Sequence, residues 1–451
     1  MTTAHCATET LRVGFIAYAR TTFDVAWADE VMRAARAALE RAGFALIGDA
    51  RLTTDLDALD AAWQALNDEP LDALIAFQAT FTDSSFAARL AERCTAPLLL
   101  WAAPEARTGG RLRLNSLCGI NLAAHALKLR GANYHWLYAS PDDAQAIAQI
   151  AAVAKAGRAR RLLRATRLGV VGEHPPGFES CRLDAERLRR RLGVETAHFE
   201  LAEVFARARA VNGQVGALRE QLGAHIAGLD ALPREPVDGT LAVYVALRQL
   251  AEEAGCAALA VRCWPEFFTE LGCAACGAMA LLNTDCLPCG CEADANGALT
   301  QLILQWISGA PAFGADLVEC NIQENSAVVW HCGQAPLTMA DPRGGIRGGL
   351  HSNRRLPLVM EFALKPGRVT IARLSQSGGD LRMVIGSGEM LAAPPSFSGT
   401  CGVLRFDRPV GDVLATIMAE GLEHHIALAY GDHTAALHAL ARMLDMPTLS
   451  L

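Results

Sequence analysis

Apolar residues in this chain come in short unbroken runs separated by amphipathic stretches. "LRVGFIAYA" (11–19), "FALIGD" (44–49), "LDALIAF" (71–77) and "APLLLWAAP" (96–104) are runs of strand length without apolar–polar alternation. Between them, "VAWADEVMRAARAALERAG" (25–43), "LDALDAAWQALND" (56–68) and "SSFAARLAERC" (84–94) carry helical periodicity, the first closed by Gly43. Strands buried on both faces and joined by helices predict a parallel sheet covered on both sides. "EARTGGRLR" (105–113) reads as a linker with a Gly109-Gly110 hinge. A second α/β set follows. It has helices in "NSLCGINLAAHALKLRG", "DDAQAIAQIAAVAKAGRARRLLRA" and "TLAVYVALRQLAEEAG", and strands in "NYHWLYASPDD", "RLGVVGEHPPGF" and "CAALAVRCW".

From about residue 335 the texture changes. "LPLVMEFALKPGRVTIARLSQSGGDLRMVIGSGEML" consists of short alternating runs broken by Pro-Gly and Gly-Gly-Asp turns, the pattern of antiparallel strands in a small barrel. "HTAALHALARMLDM" returns to helix. The predicted fold is α/β: two Rossmann-like domains with parallel sheets (1–107 and 108–334), then a β-barrel-like domain with a closing helix (335–451).

Composition narrows the function. The 451 residues are too many for one compact core, and with 51% hydrophobic and 20% charged residues disorder is not expected. A net charge of −7 argues against a protein that binds nucleic acid by broad phosphate neutralisation. "MTTAHCATETLRVGFIAYAR" lacks the basic start and uninterrupted apolar core of an export signal. No run of about 20 uncharged apolar residues predicts a membrane span. The fourteen cysteines are scattered, often in apolar runs. The expectation is a cytoplasmic protein with reduced, buried thiols.

The chemistry concentrates in "CLPCGCEADANGALTQLILQW" (286–306). Cys273-x-x-Cys276 and Cys286-x-x-Cys289 outline a four-thiolate zinc site with nine residues between the pairs. Packing is the alternative, because "LGCAACGAMALLN" is an apolar, alanine-rich helix in which Cys behaves as a small hydrophobe. Glu292 stands at the head of a helical stretch, where the helix dipole keeps a carboxylate ionised. Asp316 in "APAFGADLVECN" sits where a small-residue turn gives way to a strand, His331 ends the apolar strand "AVVWH", and His425 precedes "IALAYGDH". Carboxylates with imidazole suit Mn²⁺ or Mg²⁺ better than structural zinc and leave coordination places for substrate oxygens.

These residues are similar to those of the L-fucose isomerase/L-arabinose isomerase-type sugar isomerases. In that family a metal-binding glutamate opens a helix and a metal-binding aspartate follows in a "GxAxxxAD" context. Here Glu292 is followed 24 residues later by Asp316 in "GAPAFGAD". His424-His425 before "IALAYGDHTAALHALARMLDMP" resembles the family's closing segment, with His424 where an asparagine is usual. The resemblance implies metal ligands Glu292, Asp316 and His425, with His331 as a further candidate, holding Mn²⁺ or another divalent cation such as Mg²⁺ or Co²⁺. It implies substrate contacts from "ARTTFD" (Arg20, Thr21, Thr22), "FQATFTD" (Thr80, Asp83), "NSLCGINLAAH" (Asn115) and "VRCWPEF" (Arg262, Trp264), and from His424.

The implied activity is metal-dependent aldose–ketose isomerisation of a pentose or a deoxy or modified hexose through an enediolate. Glu292 and Asp316 are the acid–base pair. The implied assembly is a homotrimer or homohexamer. A sulfonated sugar is an alternative substrate, because Arg20, Arg262, Arg343 and Arg347 lie in loops or at strand ends, although surface exposure accounts for such arginines more simply. Two other function classes stay open: a non-catalytic sugar-binding or regulatory protein, and a zinc-ribbon interaction module. The glycine-rich "DPRGGIRGGLHSN" (341–353) has no strand–helix context for a dinucleotide.

Overall fold

A computed structural model of the chain describes Cys6, residues 9–66 and residues 70–451. The first residues of the stretch read for an export signal, and the end of the predicted helix at residues 67 and 68, lie outside this description. The described residues divide into two compact units: 9–161 with 435–445, and 162–434 with Cys6 and the segment 446–451.

In the first unit the strands run Ala45–Ile47, Arg12–Tyr18, Ala73–Gln78, Leu98–Ala102 and His135–Tyr138 across one sheet, and Leu52–Thr53 also pairs with Arg12–Tyr18. Every pairing is parallel, as the unbroken apolar runs require. Its centre is aromatic: Phe77 meets Trp101 edge to face with centroids 5.2 Å apart, and the Trp101 indole N–H donates to the Ala139 carbonyl. The fully buried Asp72 is held by Arg158 and Arg161 at 2.7 and 2.9 Å, tying the helix Ala144–Leu163 to the sheet. The Gly109-Gly110 segment lies within this unit. There the Glu105 carboxylate accepts backbone N–H bonds from Arg113, Leu114 and Asn115, and Asn115 sits in the left-handed region (φ 52°) as the residue before the helix Ser116–Leu129.

The second unit holds a four-stranded parallel sheet, ordered Cys289–Gly290, Ala258–Val261, Arg167–Val171, Glu195–Phe199, and a closed barrel. The barrel runs Gly367–Ser375, Arg382–Met390, Thr400–Phe406, Ser326–His331, Phe313–Asn321, His425–Tyr430 and back to Gly367–Ser375, all antiparallel. Two of its strands therefore precede residue 335, and Asp316 and His331 are barrel residues. The helix Ala295–Ser308 is apolar on nearly every side because it packs both on the strand Ala258–Val261 and on the barrel strands Gly367–Ser375 and His425–Tyr430. No helix among the described residues is long and apolar enough to cross a membrane.

The thiols regroup relative to the four-cysteine zinc outline. Cys286 forms a disulfide with Cys6, which corrects the expectation that every thiol is reduced; the other twelve cysteines are free. Cys276 lies against Cys332, with Sγ atoms 3.3 Å apart, rather than with Cys289. Cys289 and Cys291 are buried, as small residues in a packed core are.

Candidate active site

Beyond the carboxyl ends of the parallel strands in the second unit, where sites of α/β sheets gather, lies Glu292. It does not head a helix. Asp294 is the N-cap, its side chain accepting the Gly297 N–H at 2.8 Å, and the helix begins at Ala295. Glu292 instead occupies a short turn, Cys291–Ala293, with φ 56°, and Ala293 follows at φ 55°. Two successive non-glycine residues in the left-handed region cost conformational energy that the surrounding contacts must hold.

Those contacts are specific. One Glu292 oxygen accepts the Trp264 indole N–H at 3.0 Å, and the other lies 3.1 Å from His424 Nε2 and 3.8 Å from His425 Nε2. Burial alone would raise the Glu292 pKa, but the bonds from His424 and Trp264 and the charges of the two imidazoles outweigh it and hold the carboxyl below its ordinary value. His424 bonds through its other nitrogen to the Ser180 hydroxyl at 2.9 Å, and Phe178 packs edge-on against both His424 and Trp264. Burial opposes the charged His424 ring, yet the bond to Glu292 and the nearby carboxylates raise its pKa overall.

The barrel supplies the other half. Asp316 and His425 are direct partners across neighbouring antiparallel strands, so their side chains leave the same face of the sheet. Asp316 Oδ1 lies 3.5 Å from His425 Nε2 and, although buried, has no hydrogen-bond partner. His425 Nδ1 lies 3.0 Å from Asp294 Oδ2. Asp294 in turn forms a two-point ion pair with Arg373 (2.5 and 3.0 Å), and these two residues are 1% and 2% exposed. Burial works against the ionised Asp294, but the Arg373 charge and the bonds from His425 and Arg373 hold its carboxyl far below the usual range. His331 joins Asp316 and His425 in a trio of ligand atoms within 4.8 Å of one another. Its Nδ1 accepts the Cys332 N–H at 2.9 Å.

Glu292, Asp316, His331, His424, His425 and Trp264, named from sequence, thus come together. Arg262 lies on the same segment as Trp264, but its guanidinium is committed to Glu266 at 2.6 and 3.0 Å. Arg343 is held by Asp341, and Arg347 is 3.5 Å from Glu361. Arg20, Thr21, Thr22, Thr80, Asp83 and Asn115 belong to the other unit. Within it the Arg20 N–H donates to Thr80 Oγ1 at 2.8 Å, the Thr22 carbonyl accepts from Arg111, and the Asp83 carboxylate accepts the Ser85 N–H. Sequence reasoning missed Asp294, Arg373, Ser180 and Phe178. The available signals were the cap pattern Asp294-x-x-Gly297 and an arginine in the apolar strand "VTIARLS".

The donor set fits a divalent cation. Glu292 and Asp316 Oδ1 lie 3.8 and 3.5 Å from His425 Nε2, in two groups of mutually close ligand atoms that share His425: Cys181, Glu292 and His424 with it on one side, Asp316 and His331 with it on the other. Asp316 Oδ1 is a buried acceptor with no donor, and His425 Nδ1 is held by a carboxylate, leaving Nε2 as the free lone pair.

Residues 14–161 match the family model of the fucose/sulfoquinovose isomerase N-terminal domain, and residues 360–450 that of the L-fucose isomerase C-terminal domain. The chain is 34% identical over 406 residues to a sulfoquinovose isomerase of Alkalicoccus urumqiensis, covering 89% of this chain and 90% of the relative. It is 30% identical over 439 residues to one from Priestia aryabhattai (96% and 98%) and 33% identical over 379 residues to one from Clostridium sp. (strain MSTE9) (83% and 85%).

Proposed function

The chain belongs to the fucose/sulfoquinovose isomerase family and is an aldose–ketose sugar isomerase, and we propose that it acts on a sulfonated hexose with a divalent cation at Glu292, Asp316 and His425. The observation that supports the metal is His425 Nε2, 3.8 Å from Glu292 and 3.5 Å from Asp316 Oδ1, with Asp294 fixing the imidazole from behind. The substrate class rests on three relatives named as sulfoquinovose isomerases that align over most of their length.

The reaction removes one hydrogen from C2 and one from O2 of an aldose and places one on C1 and one on O1. Removing a proton beside a carbonyl needs a base, and the enediolate that results needs positive charge. The cation, Mn²⁺ or another divalent ion, supplies that charge. Glu292, kept ionised by Trp264 and His424, would take the C2 proton and pass it to O1, while Asp316 on the barrel strand Phe313–Asn321 would take the O2 proton and deliver it to C1, so that both carboxylates end as they began. His424 bridges Ser180 and Glu292, so its ring is oriented for a substrate hydroxyl. His331 takes a different part from His425. Its Nδ1 already accepts an N–H, so the neutral ring carries its proton on Nε2 and acts as a donor rather than a ligand. The implied assembly is a homotrimer or homohexamer, which sedimentation equilibrium measures directly.

The test is kinetic. With Mn²⁺ present, kcat/KM is compared for sulfoquinovose, 6-deoxyglucose, L-fucose and L-arabinose. Preference for the sulfonated sugar supports the reading. Preference for fucose or arabinose replaces the substrate, and sugar binding without turnover of any of the four moves the protein to the non-catalytic class.

A further inference from the structure

Trp264 has a second neighbour besides Glu292. The Arg354 guanidinium carbon lies 5.2 Å from the Trp264 ring centroid and 5.2 Å from that of Phe268. The cation therefore sits one indole away from the carboxylate that reads the reacting carbons. Arg262, Arg343 and Arg347 each have a carboxylate partner, whereas no described carboxylate pairs with the exposed Arg354. Aromatic rings engage the face of a guanidinium and leave its N–H edge for an oxyanion.

The segment carrying Arg354 closes on itself. The His351 N–H donates to the Leu356 carbonyl at 2.9 Å, the Arg355 N–H to the His351 carbonyl at 2.8 Å, and the Arg354 N–H to His351 Nδ1 at 3.3 Å. The His351 ring packs edge-on against Phe268. Burial and the Arg354 charge push the His351 pKa down to about 4, so its ring is a neutral acceptor. The turn carries two exposed cations, Arg354 and Arg355, and of these Arg354 is the one with described rings beneath it.

We infer that Arg354 is the residue that selects an anionic sugar, its guanidinium fork receiving the sulfonate at the end of the substrate remote from the carbonyl. The inference rests on the sulfonated-hexose reading of the same site. A sulfonate carries its charge at every physiological pH and offers three acceptor oxygens, which suits a two-point guanidinium contact. A neutral hexose makes no such demand. Arg182 is the rival: it is exposed, follows Cys181 and the His424 partner Ser180, and has no described carboxylate, but no described ring underlies it.

The experiment measures kcat and KM of wild type, Arg354→Ala, Arg354→Lys and Arg182→Ala on sulfoquinovose and on 6-deoxyglucose with Mn²⁺ present. Sulfoquinovose binding to each protein under chelation serves as a readout independent of turnover, and circular dichroism checks folding. The expected result is a KM for sulfoquinovose raised about 10- to 100-fold in Arg354→Ala, with weaker binding and kinetics on 6-deoxyglucose within about twofold. Arg354→Lys, which keeps the charge and loses the fork, falls between. A wild type that does not prefer the sulfonated sugar ends the substrate reading and this inference with it. A wild-type preference that survives in a folded Arg354→Ala, or that disappears in Arg182→Ala instead, overturns the assignment of Arg354 alone.

Discussion

His425 Nδ1 lies 3.0 Å from a carboxylate oxygen of Asp294, and this contact decides which nitrogen of the imidazole faces Glu292 and Asp316. Asp294 does three things from one buried position: it caps the helix Ala295–Ser308, neutralises Arg373 and orients His425. Asp294→Ala leaves a buried guanidinium without its counter-charge, and the expected loss of stability is about 3–5 kcal/mol in urea unfolding. Asp294→Asn keeps much of the cap and should lower Mn²⁺ affinity about 10- to 100-fold by isothermal titration. Unchanged Mn²⁺ affinity in folded Asp294→Asn would detach Asp294 from the site.

Glu292→Gln and Asp316→Asn keep side-chain shape and remove the acid–base function. Each should reduce kcat by about 10²–10⁴-fold with the fold intact. Steady-state kinetics with saturating Mn²⁺ checks this, and wild-type turnover in Glu292→Gln would remove Glu292 from the chemistry.

Trp264→Phe retains a ring against Phe178 and Arg354 but deletes the indole N–H bonded to Glu292. Losing a hydrogen bond to a charged group should lower kcat/KM about 10- to 100-fold with little change in melting temperature. A melting temperature that falls sharply while kcat/KM holds would make Trp264 a packing residue only.

The parallel sheets were legible because unbroken runs such as "LDALIAF" have one stable setting, between two helical layers. The hairpin between Gly367–Ser375 and Arg382–Met390 was legible from its Gly378-Gly379 turn. The barrel strands Phe313–Asn321 and Ser326–His331 were harder to assign, because "IQENS" joins them without a Gly or Pro signal. Glu292, Asp316 and His425 were singled out through family spacing. The Asp294–Arg373 pair, 79 positions apart in sequence, was not found, since an arginine in an apolar strand does not name its partner and the two meet only where the helix Ala295–Ser308 packs on the strand Gly367–Ser375. Glu292 was expected on a helix because acids favour first turns. The Asp294 cap moves that start to Ala295 and leaves Glu292 in a strained turn aimed at the site.

The first unit carries its own pH dependence. Burial, with help from the charges of Arg442 and Arg160, pushes the His135 pKa down to about 4. The unfolded chain then binds the proton more readily between about pH 6.5 and 4, so stability falls as pH drops through that window. The contribution is on the order of 1–3 kcal/mol. His135→Gln should flatten the melting temperature between pH 6.5 and 4 relative to wild type, and an unchanged slope would assign the acid sensitivity to other groups.

The central claim is that Glu292, Asp316 and His425 hold a divalent cation for proton transfer between C1 and C2. Its most direct test is deuterium incorporation at C2 of sulfoquinovose in D₂O, followed by NMR, with chelator-stripped protein before and after Mn²⁺ is restored. The account predicts no exchange in the stripped protein, exchange on adding Mn²⁺, and none in Glu292→Gln under either condition. Equal exchange with and without the cation would contradict it.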